Sequence, residues 1–125
     1  MKVIVNRYLP PGKHFAAINL FGVFLVKKGV PITRTLLNHE SIHTAQMKEM
    51  GYLLFYLVYV IEWLVRTLMK GNAYYNLSFE REAYLNDHDF GYLKKRRHYA
   101  WLKYFRKKKI GSFINDKHNK WIITK

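Results

Sequence analysis

At 125 residues the chain holds one packed domain and little more. Half of its residues are apolar and 17% are aromatic, which excludes a disordered chain, and the absence of cysteine excludes disulfides and thiolate metal sites, so any metal must be held by His, Asp, Glu and water. A formal net charge of +14 favours an anionic partner, either nucleic acid or an acidic membrane surface.

The first segment, MKVIVNRYLPPGKHF, opens with one Lys before a very short apolar run, then Arg7 and a double Pro. It lacks the features of a signal peptide, so the expected location is cytoplasmic. Residues 1–30 read as a small β element. Lys2 to Tyr8 is β-prone and closes at Pro10-Pro11-Gly12, and His14 to Lys27 is a strand or a strand pair interrupted at Gly22. Its role is open between an ordinary core strand and an edge strand that holds an extended substrate.

Residues 33–50, TRTLLNHESIHTAQMKEM, predict a helix with Thr33 as N-cap and a break at Gly51. Leu36, Leu37, Ile42, Met47 and Met50 would pack it on much of its surface, leaving His39 and His43 largely buried. The spacing His39-Glu40-x-x-His43 is H-E-x-x-H. Residues four apart lie one turn above each other on a helix, so both imidazoles can face one metal ion. Glu40 sits where a carboxylate reaches a water at that ion. Two histidines leave a catalytic zinc one protein ligand short.

Residues 52–69, YLLFYLVYVIEWLVRTLM, predict an apolar helix whose only charges, Glu62 and Arg66, are spaced to pair. The uncharged part is short for a bilayer span. A core helix, or one lying at a membrane interface, fits better; a membrane or a second subunit in a homo-oligomer could cover its remaining apolar surface. Residues 76–90, NLSFEREAYLNDHDF, predict a third helix capped by Asn76 or Ser78 and offering Glu80 and Glu82 as further ligands. Asp87, His88 and Asp89 read as solvated surface, with a second ligand cluster as the alternative. Residues 91–109 predict a basic, aromatic helical region, in which Lys94 to Arg97 and Arg106 to Lys109 bracket HYAWLKYF, and Trp121 to Ile123 a short returning strand.

Together NHExxH and SFEREAY resemble the gluzincin class of zinc metallopeptidases, in which two His come from one helix and a Glu from a second. The local likeness is to the membrane-associated branch that includes the CAAX prenyl proteases, whose second helix carries E-x-x-A-D; most of the chain also resembles small bacterial metallopeptidase-like proteins. This resemblance implies Zn2+ held by His39, His43 and Glu80, with Glu80 preferred over Glu82. It implies a minimal zincin-like domain over 1–125, mainly α with a small N-terminal β element (α+β). Tyr84 stands where that branch has Asp, so support for the ligands must come from elsewhere. The expected activity is peptide-bond hydrolysis of a peptide or protein substrate. Glu40 acts as general base, and Tyr84 is a candidate oxyanion donor beside Tyr75 and His88. Asn38 and Gln46 flank the site, Asn38 as a substrate contact or a structural hydrogen bond.

Two other functions remain open on sequence alone: a degenerate zinc-binding domain without turnover, and a basic nucleic-acid-binding protein with a coincidental H-E-x-x-H. The apolar helix beside the basic blocks favours an anionic membrane over nucleic acid, as a peripheral protein on the inner membrane face.

Overall fold

The computed structural model describes residues 1–12, 16–69 and 72–105, and the expected basic block at Arg106 to Lys109 and strand at Trp121 to Ile123 lie outside them. The described chain is mainly helical, with a three-stranded sheet at its N-terminus. Strands β1 (Lys2–Asn6), β2 (Ala17–Leu20) and β3 (Val23–Lys27) lie in the order β1-β3-β2, β1 parallel and β2 antiparallel to β3. The interruption expected at Gly22 is a two-residue turn. Phe21 and Gly22 both have positive φ, 52° and 86°, as a twist-matched hairpin requires. The central strand β3 buries Phe24 and Val26, whereas β2 is an edge strand.

Helix α1 (Arg34–Glu49) begins where the capping signal places it, the Thr33 hydroxyl accepting from the Leu36 amide at 3.0 Å. Gly51, at φ 66°, and Tyr52, at φ 63°, turn the chain through 110° into α2 (Leu53–Thr67). Met47, Met50, Phe55, Phe79 and Trp101 form the main core where α1, α2 and the downstream helices meet. A second cluster of Ile42, Ala83 and Tyr92 lies on the other side of α1.

The helix expected over 76–90 is shorter, α4 (Ser78–Asn86), and a separate short helix, α3 (Ala73–Asn76), precedes it. Leu77 interrupts them with an extended ψ of 136°. The physical reason is a cap supplied from another helix. Glu62 of α2 accepts hydrogen bonds from the Ser78 amide at 2.9 Å and from the Ser78 hydroxyl, so a carboxylate from outside starts α4 in place of Asn76 or Ser78. At the other end Asn38 of α1 donates to the carbonyls of Asn86, Asp87 and Asp89, the Asp87 bond at 2.8 Å, and α4 stops there. Asn38 is thus a structural clasp between α1 and α4.

The helical region expected from residue 91 is likewise broken, into α5 (Tyr92–Lys95) and a 3₁₀ helix over Ala100–Tyr104. Glu49, at the end of α1, causes the break. It pairs with the Arg96 guanidinium at 2.9 Å, accepts from the Tyr99 amide at 2.8 Å, and its carbonyl takes the Tyr99 hydroxyl. Those contacts pull 96–99 off a helical path; Tyr99 has φ 58°.

Candidate metal centre

His39 and His43 sit one turn apart on the buried side of α1, and Glu80 faces them from the first turn of α4. Three ligand atoms converge. The Nε2 atoms of His39 and His43 are 3.1 Å apart, His43 Nε2 is 3.2 Å from Glu80 Oε1, and His39 Nε2 is 3.3 Å from the same oxygen. In a tetrahedral zinc site with bonds of ~2.0–2.1 Å, neighbouring ligand atoms lie about 3.3–3.4 Å apart. The observed triangle has that size, and His39, His43 and Glu80 are close enough to hold a metal ion.

The surrounding hydrogen bonds decide which ring nitrogens carry hydrogen. His39 Nδ1 lies 3.2 Å from Asp87 Oδ2, and an ionised carboxylate can only accept, so the hydrogen is on Nδ1. His43 Nδ1 is 2.8 Å from Gln46 Oε1. The Gln46 amide cannot be reversed, because its nitrogen donates to the Phe79 carbonyl at 3.1 Å and to Glu82 Oε2 at 2.8 Å. With Nδ1 so engaged, each imidazole in its neutral form turns a bare Nε2 lone pair towards Glu80 Oε1. Three such acceptors facing one point in a buried setting favour positive charge between them, carried by protons on the imidazoles or by a metal ion.

The electrostatics respond accordingly. Burial opposes the charge on His39, but its hydrogen bonds to Asp87 and Glu80 more than offset this and push the pKa up to about 10. Burial likewise opposes charge on His43, which Glu80 nonetheless raises. The Glu80 carboxyl is held far below the usual range by the two histidines, against its own burial. All three shifts have the same origin: the cluster attracts positive charge.

Glu80 is held from its other oxygen by the Tyr59 hydroxyl, which donates to Oε2 at 2.9 Å. That leaves Oε1 for the histidines. Glu82, the rival ligand, points elsewhere: it is fully buried and paired with Arg96, with the Tyr92 hydroxyl donating to it at 3.0 Å. Glu82 thus fixes Gln46, which in turn fixes His43.

Asp87 corrects the expectation of a solvated acidic cluster. Its side chain is buried, one oxygen on His39 and the other on His88 Nδ1 at 2.7 Å. His88 and Asp89 are exposed, as expected. The orienting carboxylate that Tyr84 does not supply therefore comes three residues later, just past the end of α4. Tyr84 itself packs its ring edge-on against His39, centroids 4.4 Å apart, and its hydroxyl lies 3.4 Å from that of Tyr74.

A cavity of about 270 Å³ opens beside the three ligands. Its walls include Glu40, His43 and Glu80, the aromatic rings of Tyr56, Tyr59 and Tyr74, and Ala17 to Asn19 of the edge strand β2. Asn19 ties that strand to α1, its amide donating to the Glu40 carbonyl and to the Thr44 hydroxyl, both at 3.1 Å. The Tyr56 hydroxyl ties it to α2, donating to the Asn19 carbonyl at 2.9 Å.

No family model, no curated protein and no solved structure matches this chain. Its chemistry is therefore read from the site itself. The sequence reading missed Asp87, Tyr59, Glu82 and Asn19 as supports. One signal for Tyr59 was present: it shares with Phe55, Glu62 and Arg66 the stripe of α2 that carries all that helix's charge.

Proposed function

We propose that the protein is a zinc-dependent peptide-bond hydrolase built on a minimal zincin-like arrangement. The observation that carries this reading is the convergence of three lone pairs from His39, His43 and Glu80 next to a cavity that Glu40 lines. A donor set of two imidazoles and one carboxylate suits zinc and leaves a position for substrate or water. Zinc held there supplies Lewis acidity, which polarises a carbonyl and acidifies water.

The chain's own residues supply the remainder. Glu40, half-buried and next to His39 in sequence, is the general base; it takes a proton from water and delivers it to the leaving amine. Asp87 and Gln46 hold the two imidazoles in the tautomer that offers Nε2, and Tyr59 keeps Glu80 turned the same way. The edge strand β2 lines the same cavity as Glu40 and is suited to take an extended peptide alongside it. The hydroxyls of Tyr84 and its neighbour Tyr74 are the candidate oxyanion donors; Tyr74 lines the cavity.

Metal content and turnover test separate parts of the reading. Purified protein is expected to carry one zinc, and His43→Ala and Glu80→Ala to lose it; wild type without stoichiometric zinc overturns the metal centre. Glu40→Gln is expected to retain zinc and lose hydrolysis of a peptide library. Zinc-loaded wild type that cuts nothing identifies a domain in which the metal serves stability alone.

A further inference from the structure

A helix that is apolar nearly all round needs cover on every side, and α2 is covered on one. Its inward stripe of Phe55, Tyr59, Glu62 and Arg66 meets the core, the metal centre and the start of α4. The opposite stripe is open: Leu53 is 73% exposed, Leu57 58%, Val60 53%, Leu64 53% and Leu68 90%. Leu54, Ile61 and Val65 widen it. Both charges of α2 are spent on the inward side, where Glu62 and Arg66 pair at 3.3 Å, so the outward face is apolar and uncharged over its length. Aromatic rings flank it at both ends. Phe21 packs on Tyr52 and Tyr56 at the N-terminal end, and Phe105, whose carbonyl Arg66 holds at 2.7 Å, lies at the C-terminal end.

Charge identifies the occupant. Of the eight Asp and Glu, Asp116 lies outside the described residues. Among the other seven, Glu49, Glu62, Glu82 and Asp89 pair with Arg or Lys, Glu80 and Asp87 face His39, and Glu40 faces the cavity. Six of these seven carboxylates thus already have a partner within the chain, while the chain as a whole carries a net charge of +14. Two such copies repel each other, whereas an anionic bilayer attracts both the charge and the apolar face.

At 15 residues α2 is roughly 22 Å long, against ~30 Å of hydrocarbon. No single helix among the described residues is long and apolar enough to cross a membrane. We infer that α2 lies in the plane of an anionic lipid surface, with Leu53, Leu57, Val60, Leu64 and Leu68 inserted at the boundary between headgroups and acyl chains. Phe55, Tyr56 and Tyr59, on the other side of the same helix, wall the cavity, which therefore stands about one helix diameter, ~10 Å, from that boundary. The lipid contact needs no metal and no turnover, so it stands or falls separately from the hydrolase reading.

Flotation of the full-length protein with vesicles tests this. It is expected to float with phosphatidylcholine–phosphatidylglycerol vesicles, more weakly with phosphatidylcholine alone, and to be partly released at high salt. The double variant Leu57→Asp/Leu64→Asp is expected to lower the partition coefficient by at least about tenfold while zinc content and melting temperature are unchanged. Wild type that floats with neither vesicle overturns the inference, as does a variant that binds like wild type. Sedimentation showing a dimer that the variant dissolves, without lipid binding, assigns the face to a second copy. A large fall in the variant's melting temperature without lipid assigns it to a segment of the chain itself.

Discussion

Asp87 is the residue whose role depends most on the structure, and its replacement tests the site directly. Its Oδ2 accepts from His39 Nδ1 at 3.2 Å in a buried setting, and its carbonyl is fixed to α1 through Asn38, the residue before His39. Outer carboxylates of this kind typically contribute 10–100-fold to metal affinity, about 1.4–2.7 kcal/mol. Asp87→Asn keeps the volume and an acceptor oxygen but loses the charge, so about a tenfold loss of zinc affinity is expected. Asp87→Ala removes the acceptor and frees the imidazole to rotate or change tautomer, for which the loss should approach about 100-fold. Competition against a chromogenic chelator, followed by absorbance, gives the affinity; far-UV circular dichroism confirms the fold. His88→Ala is the control, because that exposed ring touches the other Asp87 oxygen and should leave affinity unchanged. Wild-type zinc affinity in a folded Asp87→Ala protein would refute the orienting role and the tautomer assignment with it.

Three further outcomes follow from the same structure. Glu62→Ala leaves Arg66 buried without its carboxylate and the start of α4 uncapped, so thermal denaturation should show about 3–5 kcal/mol lost, whereas Glu62→Met/Arg66→Met should recover much of it. Chelating a bound zinc should lower stability by about 2.7 kcal/mol for every case in which free metal had stood at 100 times its dissociation constant, read as a fall in melting temperature on adding chelator. Gly22→Ala places a side chain at φ 86° and a Cβ 3.3 Å from Thr44, and should destabilise the protein by about 1–2 kcal/mol in urea titration.

Local signals reached far into this molecule. Thr33 begins α1 and Gly51 ends its direction; His39 and His43 share a face because helical spacing makes them do so. The Glu62–Arg66 pairing and the hairpin at Gly22 are equally local, since each depends on residues within a few positions. Local spacing is silent where a side chain from a distant element ends or starts a helix. Glu62 starts α4 and Glu49 breaks the basic region at Arg96, and neither contact leaves a trace in the spacing of the residues it rearranges. Asp87 resembled a surface acid for the same reason: its burial is created by α1, 48 positions away.

Residue spacing alone places two imidazoles one turn apart on a largely buried helix, with a glutamate-bearing helix to follow. A helix has a fixed period, so residue identity and spacing settle that much. The packed fold brings Glu80, the ligand already preferred from the resemblance, up to the two histidines, and it alone shows that Glu82 is turned to Arg96 and that Asp87 and Gln46 hold the two Nδ1 atoms. It also decided which face of α2 was left uncovered. Those outcomes depend on how α1, α2 and α4 pack. Packing brings together donors and acceptors that are tens of residues apart, as Gln46 with Glu82 and Asn38 with Asp87.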